Sequence, residues 1–100
     1  VARWMCEGPA KVYGMVGKGR LEQGFDGDLA LVDMENSHTI SDSDTWTTVG
    51  WTPLAGMELT GFARMTVVGG VQVHGRSTGG SLRGESLSKP GGAGSALKFA

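Results

Sequence analysis

Met65-Thr66-Val67-Val68-Gly69-Gly70-Val71-Gln72-Val73-His74 is the stretch that decides the fold. Two runs rich in β-branched residues are parted by two glycines, which take positive φ at both central turn positions without a Cβ clash. An antiparallel hairpin follows. Closed at Gly69-Gly70, it places Thr66, Val68, Val71 and Val73 on one face, with Met65, Val67, Gln72 and His74 on a more mixed one.

The strand-like period extends back to Gly19, with turn residues every few positions. Residues 57–60 read as strand and Trp51-Thr52-Pro53-Leu54-Ala55-Gly56 as loop. Ser41-Asp42-Ser43-Asp44 offers side-chain oxygens to free backbone N–H groups, which predicts a turn or a capped helical turn before Trp46. Residues 38–41 read as a short edge strand. Asp28-Leu29-Ala30-Leu31-Val32-Asp33 is apolar on both faces, as a central strand is. Gly24-Phe25-Asp26-Gly27 is a turn, and Arg20-Leu21-Glu22 a short strand before it.

Upstream of Gly19 the pattern is helical. Residues 2–15 read as helix broken once, because Pro9 restricts Gly8 and its fixed φ suits the first position of a new helix. That second helix ends where Gly14 can adopt a left-handed cap. Trp4, Met5 and Val12 are the buried contacts expected of it.

A chain of 100 residues holds one small domain. Its 18 glycines are more than twice the ~7% usual in proteins, so part of the chain should pack poorly. Residues 1–76 carry net charge -3 and residues 77–100 net +2. Residues 77–100 are dominated by Gly, Ser and Thr around Pro90, and the few apolar groups there predict a flexible tail. With a net charge of -1 and no cluster of Lys and Arg, neither nucleic acid nor an anionic membrane is an expected partner. The single Cys6 forms no internal disulfide, and no apolar run approaches the ~18–20 residues of a spanning helix. The chain reads as cytoplasmic. It opens on Val1 without the marks of a signal peptide, and is expected to be the end of something longer.

No constellation of reactive groups emerges. His38 and His74 are the only histidines, and neither has a partner at a metal-binding spacing. Asp26-Gly27-Asp28 and Asp42-Ser43-Asp44 resemble a fragment of a calcium loop but lack its remaining ligands, so turn capping is the simpler reading. Gly17-Lys18-Gly19 has neither the spacing nor the following Ser or Thr of a phosphate loop. Nothing near Cys6 in sequence activates it or serves as its base, which makes a buried structural thiol the default. Trp4, Trp46 and Trp51 read as core or interface anchors rather than ligand platforms.

Several motifs together carry a resemblance. Pro9-Ala10-Lys11-Val12-Tyr13-Gly14, Gly17-Lys18-Gly19 and Gly24-Phe25-Asp26-Gly27-Asp28-Leu29-Ala30-Leu31-Val32-Asp33 are similar to the C-terminal end of cyclic amidohydrolases. Gly50-Trp51-Thr52-Pro53-Leu54-Ala55-Gly56-Met57, Leu59-Thr60-Gly61 and Thr66-Val67-Val68-Gly69-Gly70 continue the pattern to about residue 76. Within that metal-dependent hydrolase superfamily the chain most resembles dihydroorotase; allantoinase and dihydropyrimidinase share most of the motifs. Gly27 departs from the pattern, where Ala is usual, and should loosen the strand entry slightly.

The resemblance implies a mainly β fold with an N-terminal helix: the C-terminal half of the small composite β-sandwich that flanks a (β/α)8 barrel. Residues 1–16 would be the last barrel helices, 17–76 the C-terminal strands of the composite sheet, and 77–100 the Gly/Ser-rich tail. Leu29, Leu31, Val67 and Val71 would bury against N-terminal strands of the same polypeptide, and residues 9–14 would dock on its barrel. The parent would be a zinc enzyme of pyrimidine biosynthesis that interconverts dihydroorotate and N-carbamoyl-aspartate. An alternative is a non-catalytic scaffold that binds aspartate transcarbamoylase. No position here matches the family's zinc-binding histidines, carboxylated lysine or water-activating aspartate. No catalytic, cofactor-binding or metal residue is therefore assigned, and the 100-residue chain alone is expected to bind no zinc and to be inactive.

Overall fold

A computed structural model of the chain describes residues 1–76, 85–86 and 94–99. The chain opens as one continuous helical run, in which a π-helical segment, Arg3–Glu7, passes directly into α1, Gly8–Val12. The break expected at Pro9 does not occur. Gly8 keeps helical φ/ψ of -57°/-56°, and its N–H donates to the Arg3 carbonyl five residues back. The widened turn stands immediately ahead of the residue that has no N–H to give.

Gly14, with φ 64°, stops the helix as expected. Its N–H donates to the Lys11 carbonyl at 3.3 Å and the Met15 N–H to the Ala10 carbonyl at 2.8 Å, the paired bonds of a Schellman cap. The contacts expected of this helix are not made. Trp4, Met5 and Val12 are 78%, 73% and 79% exposed, and Ala10 is the one buried apolar residue among those described. Ala10 lies under Gly19, where an added Cβ would stand 2.6 Å from the Ala10 Cβ and 2.8 Å from the Cys6 carbonyl oxygen. A glycine is needed for the chain to turn back so closely over the helix.

Beyond the helix lies a four-stranded antiparallel sheet in the order β1, Leu29–Thr39; β2, Glu58–Val68; β3, Val71–Gly75; β4, Glu85–Ser86. Two expected strands are parts of longer ones. Residues 38–39 continue β1 rather than forming a separate edge piece, and residues 57–60 run on from Glu58 into the first arm of the hairpin. Arg20-Leu21-Glu22 is not a strand: among the described residues no strand pairs with it, and its charged ends go to ion pairs with Glu7 and with each other. The Gly69-Gly70 hairpin turn forms as read, with φ of 56° and 79°.

Hairpin register is where sequence and structure part. Val68 pairs with Val71 and Val67 with Gln72, but Thr66 faces His74 and Met65 faces Gly75, because Val73 is the extra residue of a bulge. The two-face assignment therefore holds for the first two pairs from the turn and slips by one beyond them. The β1–β2 ladder has two irregularities of its own: Arg64 is extra between the Leu31–Met65 and Val32–Ala63 pairs, and between Asp33 and Ser37 the residues Met34, Glu35 and Asn36 oppose the single Gly61. The Asp33 carboxylate holds that bulge, accepting from the Glu35 and Asn36 N–H groups at 3.1 Å each and from the Asn36 amide at 2.6 Å.

Connections to the rest of the chain are short and polar. The Gly27 carbonyl accepts from the Gly70 N–H at 2.9 Å, and an added Cβ at Gly27 would stand 3.0 Å from that nitrogen. Gly27 thus allows a close approach to the hairpin turn, the opposite of the loosening expected there. In the Gly/Ser-rich segment, Glu85 and Ser86 pair with β3, and Phe99 makes a bridge to Met15. Residues 77–84, 87–93 and 100, on which the expectation of a tail also falls, lie outside the described residues. No described helix is long and apolar enough to cross a membrane.

Candidate functional site

Two polar centres stand out, one in the connection before β1 and one in the connection after it. In the first, the Lys18 ammonium bridges Asp26, at 2.9 Å, and Asp28. The other Asp28 oxygen accepts from the Gly69 N–H at 2.8 Å, and the Asp26 N–H donates to the Gly17 carbonyl at 2.8 Å. The loop after the helix is thereby tied to the hairpin turn. Asp28, then Asp26, hold the Lys18 pKa above its ordinary value. Lys18, and after it the Gly69 N–H, hold the Asp28 carboxyl below the usual carboxylate range. In the sequence the lysine and the Asp26/Asp28 pair stand apart, each an incomplete motif, the one of a phosphate loop and the other of a calcium loop. Chain reversal at Gly19 and Gly24 brings them together as opposite charges.

The second centre lies where β1 ends. Asp44 closes the 3-10 turn Asp42–Asp44 in a capping box: its carboxylate accepts from the Ser41 N–H and hydroxyl at 2.9 Å each. The same oxygen faces His38 Nε2 at 3.2 Å, and the His38 ring meets Phe62 edge-on at 6.1 Å. Burial is the largest single influence on Asp44 and pushes its carboxyl up, but Ser41 and His38 together bring it down to about 2. The capped turn read from the sequence is present. The His38 contact was not legible, because it depends on where β1 stops.

Neither centre assembles a reaction. A nucleophile needs a base within hydrogen-bonding reach, and Ser41 spends its hydroxyl on Asp44 and Ser43 rather than on His38. An open recess of about 520 Å³ runs along β1, lined by residues 31–36 and Arg64, but the Asp33 carboxylate there is committed to its own bulge. Cys6, expected to be buried, is exposed. Trp46 and Trp51 are 60% and 59% exposed, so with Trp4 none of the tryptophans is a core anchor. His38 and His74 do not converge on a common point. Among the described residues no three His, Cys, Asp or Glu side chains stand where they could hold a metal ion. The residues present do not fit the zinc that the resemblance implies.

No family model matches the sequence. Individual curated proteins do match. The chain is 31% identical over 70 residues to the Dihydroorotase of Methanothermobacter thermautotrophicus, which covers 70% of this chain and 16% of that protein. It is 35% identical over 92 residues to the Dihydroorotase of Pyrococcus abyssi, 91% of this chain and 22% of the relative. An Allantoinase of Bacillus velezensis is 60% identical over 35 residues, 35% of this chain and 8% of the relative. The chain thus spans less than a quarter of the length of the relatives it matches. Over the part that these matches cover, the chain belongs to the dihydroorotase family.

Proposed function

We propose that this chain is the C-terminal structural part of a dihydroorotase-like amidohydrolase, and that it completes a sheet whose other strands come from elsewhere in the same polypeptide. The parent would open dihydroorotate to N-carbamoyl-aspartate, with the residues that carry that chemistry outside this chain. One observation carries the reading: similarity to dihydroorotases runs through most of this chain yet through less than a quarter of theirs. The exposed apolar side chains on the sheet support it. Leu29, Leu31, Val32 and Met34 along β1 are all solvent-exposed, as a strand with neither face covered leaves them.

The test is a pair of assays on the full-length polypeptide from the same reading frame. Dihydroorotate hydrolysis is expected from it, and none from the 100-residue chain alone. Turnover by the isolated chain, or a full-length protein inert towards dihydroorotate, overturns the reading. The 60% identity to an Allantoinase favours one second reading, in which the parent opens allantoin instead. The same assay run with both substrates separates the two.

A further inference from the structure

Residues 40–57 form a connection of unusual length for two adjacent antiparallel strands, where loops of two to five residues are the norm. Its backbone is thoroughly tied: the Ile40 N–H donates to the Met57 carbonyl at 2.9 Å, the Gly56 N–H to the Ile40 carbonyl at 2.8 Å and the Thr52 N–H to the Asp42 carboxylate at 3.0 Å. Yet this tied loop holds its large apolar groups outward, with Trp46, Val49, Trp51, Leu54 and Met57 all exposed, Val49 by 67%. A loop ordered by its own hydrogen bonds gains nothing from showing two indoles to water.

Charge says what covers them. Residues 21–63 contain eight Asp and Glu and no Lys or Arg. Asp26 and Asp28 are answered by Lys18, Glu22 by Arg20 and Asp44 by His38, whereas Asp42 and Glu58, at the two ends of the loop, have no basic partner among the described residues. A second copy of this chain is a poor occupant, because facing copies would bring two acidic rims together. An apolar face edged with Lys and Arg fits, since its cations can pair with the rim and stack on the indoles. The relatives have more than three-quarters of their length outside the region matched, which is ample chain to supply such a face.

We propose that residues 40–57 are a docking surface, with Trp46 and Trp51 as its anchors, for a basic-edged apolar face contributed by the remainder of the same polypeptide. The inference rests on reading this chain as part of a larger dihydroorotase-like protein, and its test is independent of catalysis. Val49→Cys is introduced into the full-length polypeptide and into the 100-residue chain, and maleimide modification at position 49 is followed by peptide mass mapping. In the full-length protein the rate is expected to be at least about tenfold below that of the same protein unfolded in urea; in the short chain it should be close to the unfolded rate. Adding Glu58→Lys should raise the full-length rate at low salt, and the increase should vanish at high salt, where the Debye length falls to roughly 3 Å.

Free modification in a folded full-length protein that still hydrolyses dihydroorotate overturns the docking surface and leaves the proposed function standing. Protection in a full-length protein inert towards dihydroorotate does the reverse. Protection that appears in the short chain and grows with its concentration overturns the inference in favour of self-contact. No effect of Glu58→Lys overturns the basic edge.

Discussion

The two long connections of this molecule, residues 17–28 and 40–57, solve the same problem in opposite ways. Both are rich in acid and both are held by hydrogen bonds, the first to the hairpin turn at Gly69-Gly70 and the second between its own two ends. In the first, the acids are neutralised by Lys18, and the chain is folded back over Ala10 until a side chain no longer fits at Gly19. In the second, Asp44 and Asp42 are spent on the loop's own backbone, and the apolar groups are left outside. The first connection closes on the chain's own helix and hairpin. The second is hydrogen-bonded within itself and exposed, a combination that makes sense for a surface to be met by another.

The contrast is sharpest at Gly19. Gly19→Val must meet Ala10 and the Cys6 carbonyl at φ 86°, so it is expected to cost about 2–4 kcal/mol. Amide exchange at Tyr13, Gly14 and Met15 reads the loss directly, while residues 40–57 should be unaffected. If both connections lose protection together, the separation drawn between them fails.

Next comes the acid limb of the second connection. The Asp44 pKa in the folded chain is about 2, below its ordinary 3.8, so its contribution is complete above the ordinary value and is lost as pH falls through about 2. That contribution is on the order of 1–2 kcal/mol. Asp44→Asn should remove it at neutral pH and flatten the acid-induced loss of order between pH 4 and 2, as followed by exchange at Ser41 and Ile40.

A smaller effect is expected in the first connection. Asp28→Asn weakens both the Lys18 pair and the Gly69 contact, and should speed Gly69 exchange roughly fivefold without touching Ser41. The wild-type tie is present above the ordinary carboxylate range, where Asp28 is charged, and is lost as pH falls through its depressed pKa. On the alkaline side it persists below 10.5 and is lost only as pH passes the raised Lys18 value. The smallest effect belongs to the exposed apolar groups. Trp51→Ala in the 100-residue chain should change stability by no more than about 0.5 kcal/mol, because nothing collapses around it. A loss of several times that size would show Trp51 packed rather than displayed.

How much of this is legible in one sequence depends on the distance over which each feature is decided. Gly69-Gly70 fixes a turn from two residues, and Ser41 to Asp44 fixes a capped turn from four, so both are read correctly. The hairpin register is not, because the bulge at Val73 leaves no mark in the alternation of the two arms. Pro9 misleads in the other direction. Its local rule predicts a break, but a single wider turn lets the helix run through. The Lys18 clamp and the His38 contact each join residues that carry weak signals alone, and become meaningful only once chain reversal has brought them together. Exposure of Trp4, Met5 and Val12 follows the same logic: helical spacing tells which residues share a face, not whether anything lies against that face.

The bulge at residues 34–36 has an effect beyond the strand that contains it. It splits the outer rim of β1 into two short ledges, 29–33 and 37–39, with the Asx-locked residues jutting between them. A foreign segment zipping alongside can run only about five residues before it is derailed. The break therefore caps runaway stacking into fibrils, while still leaving room for one short guest strand at the end nearer the hairpin turn.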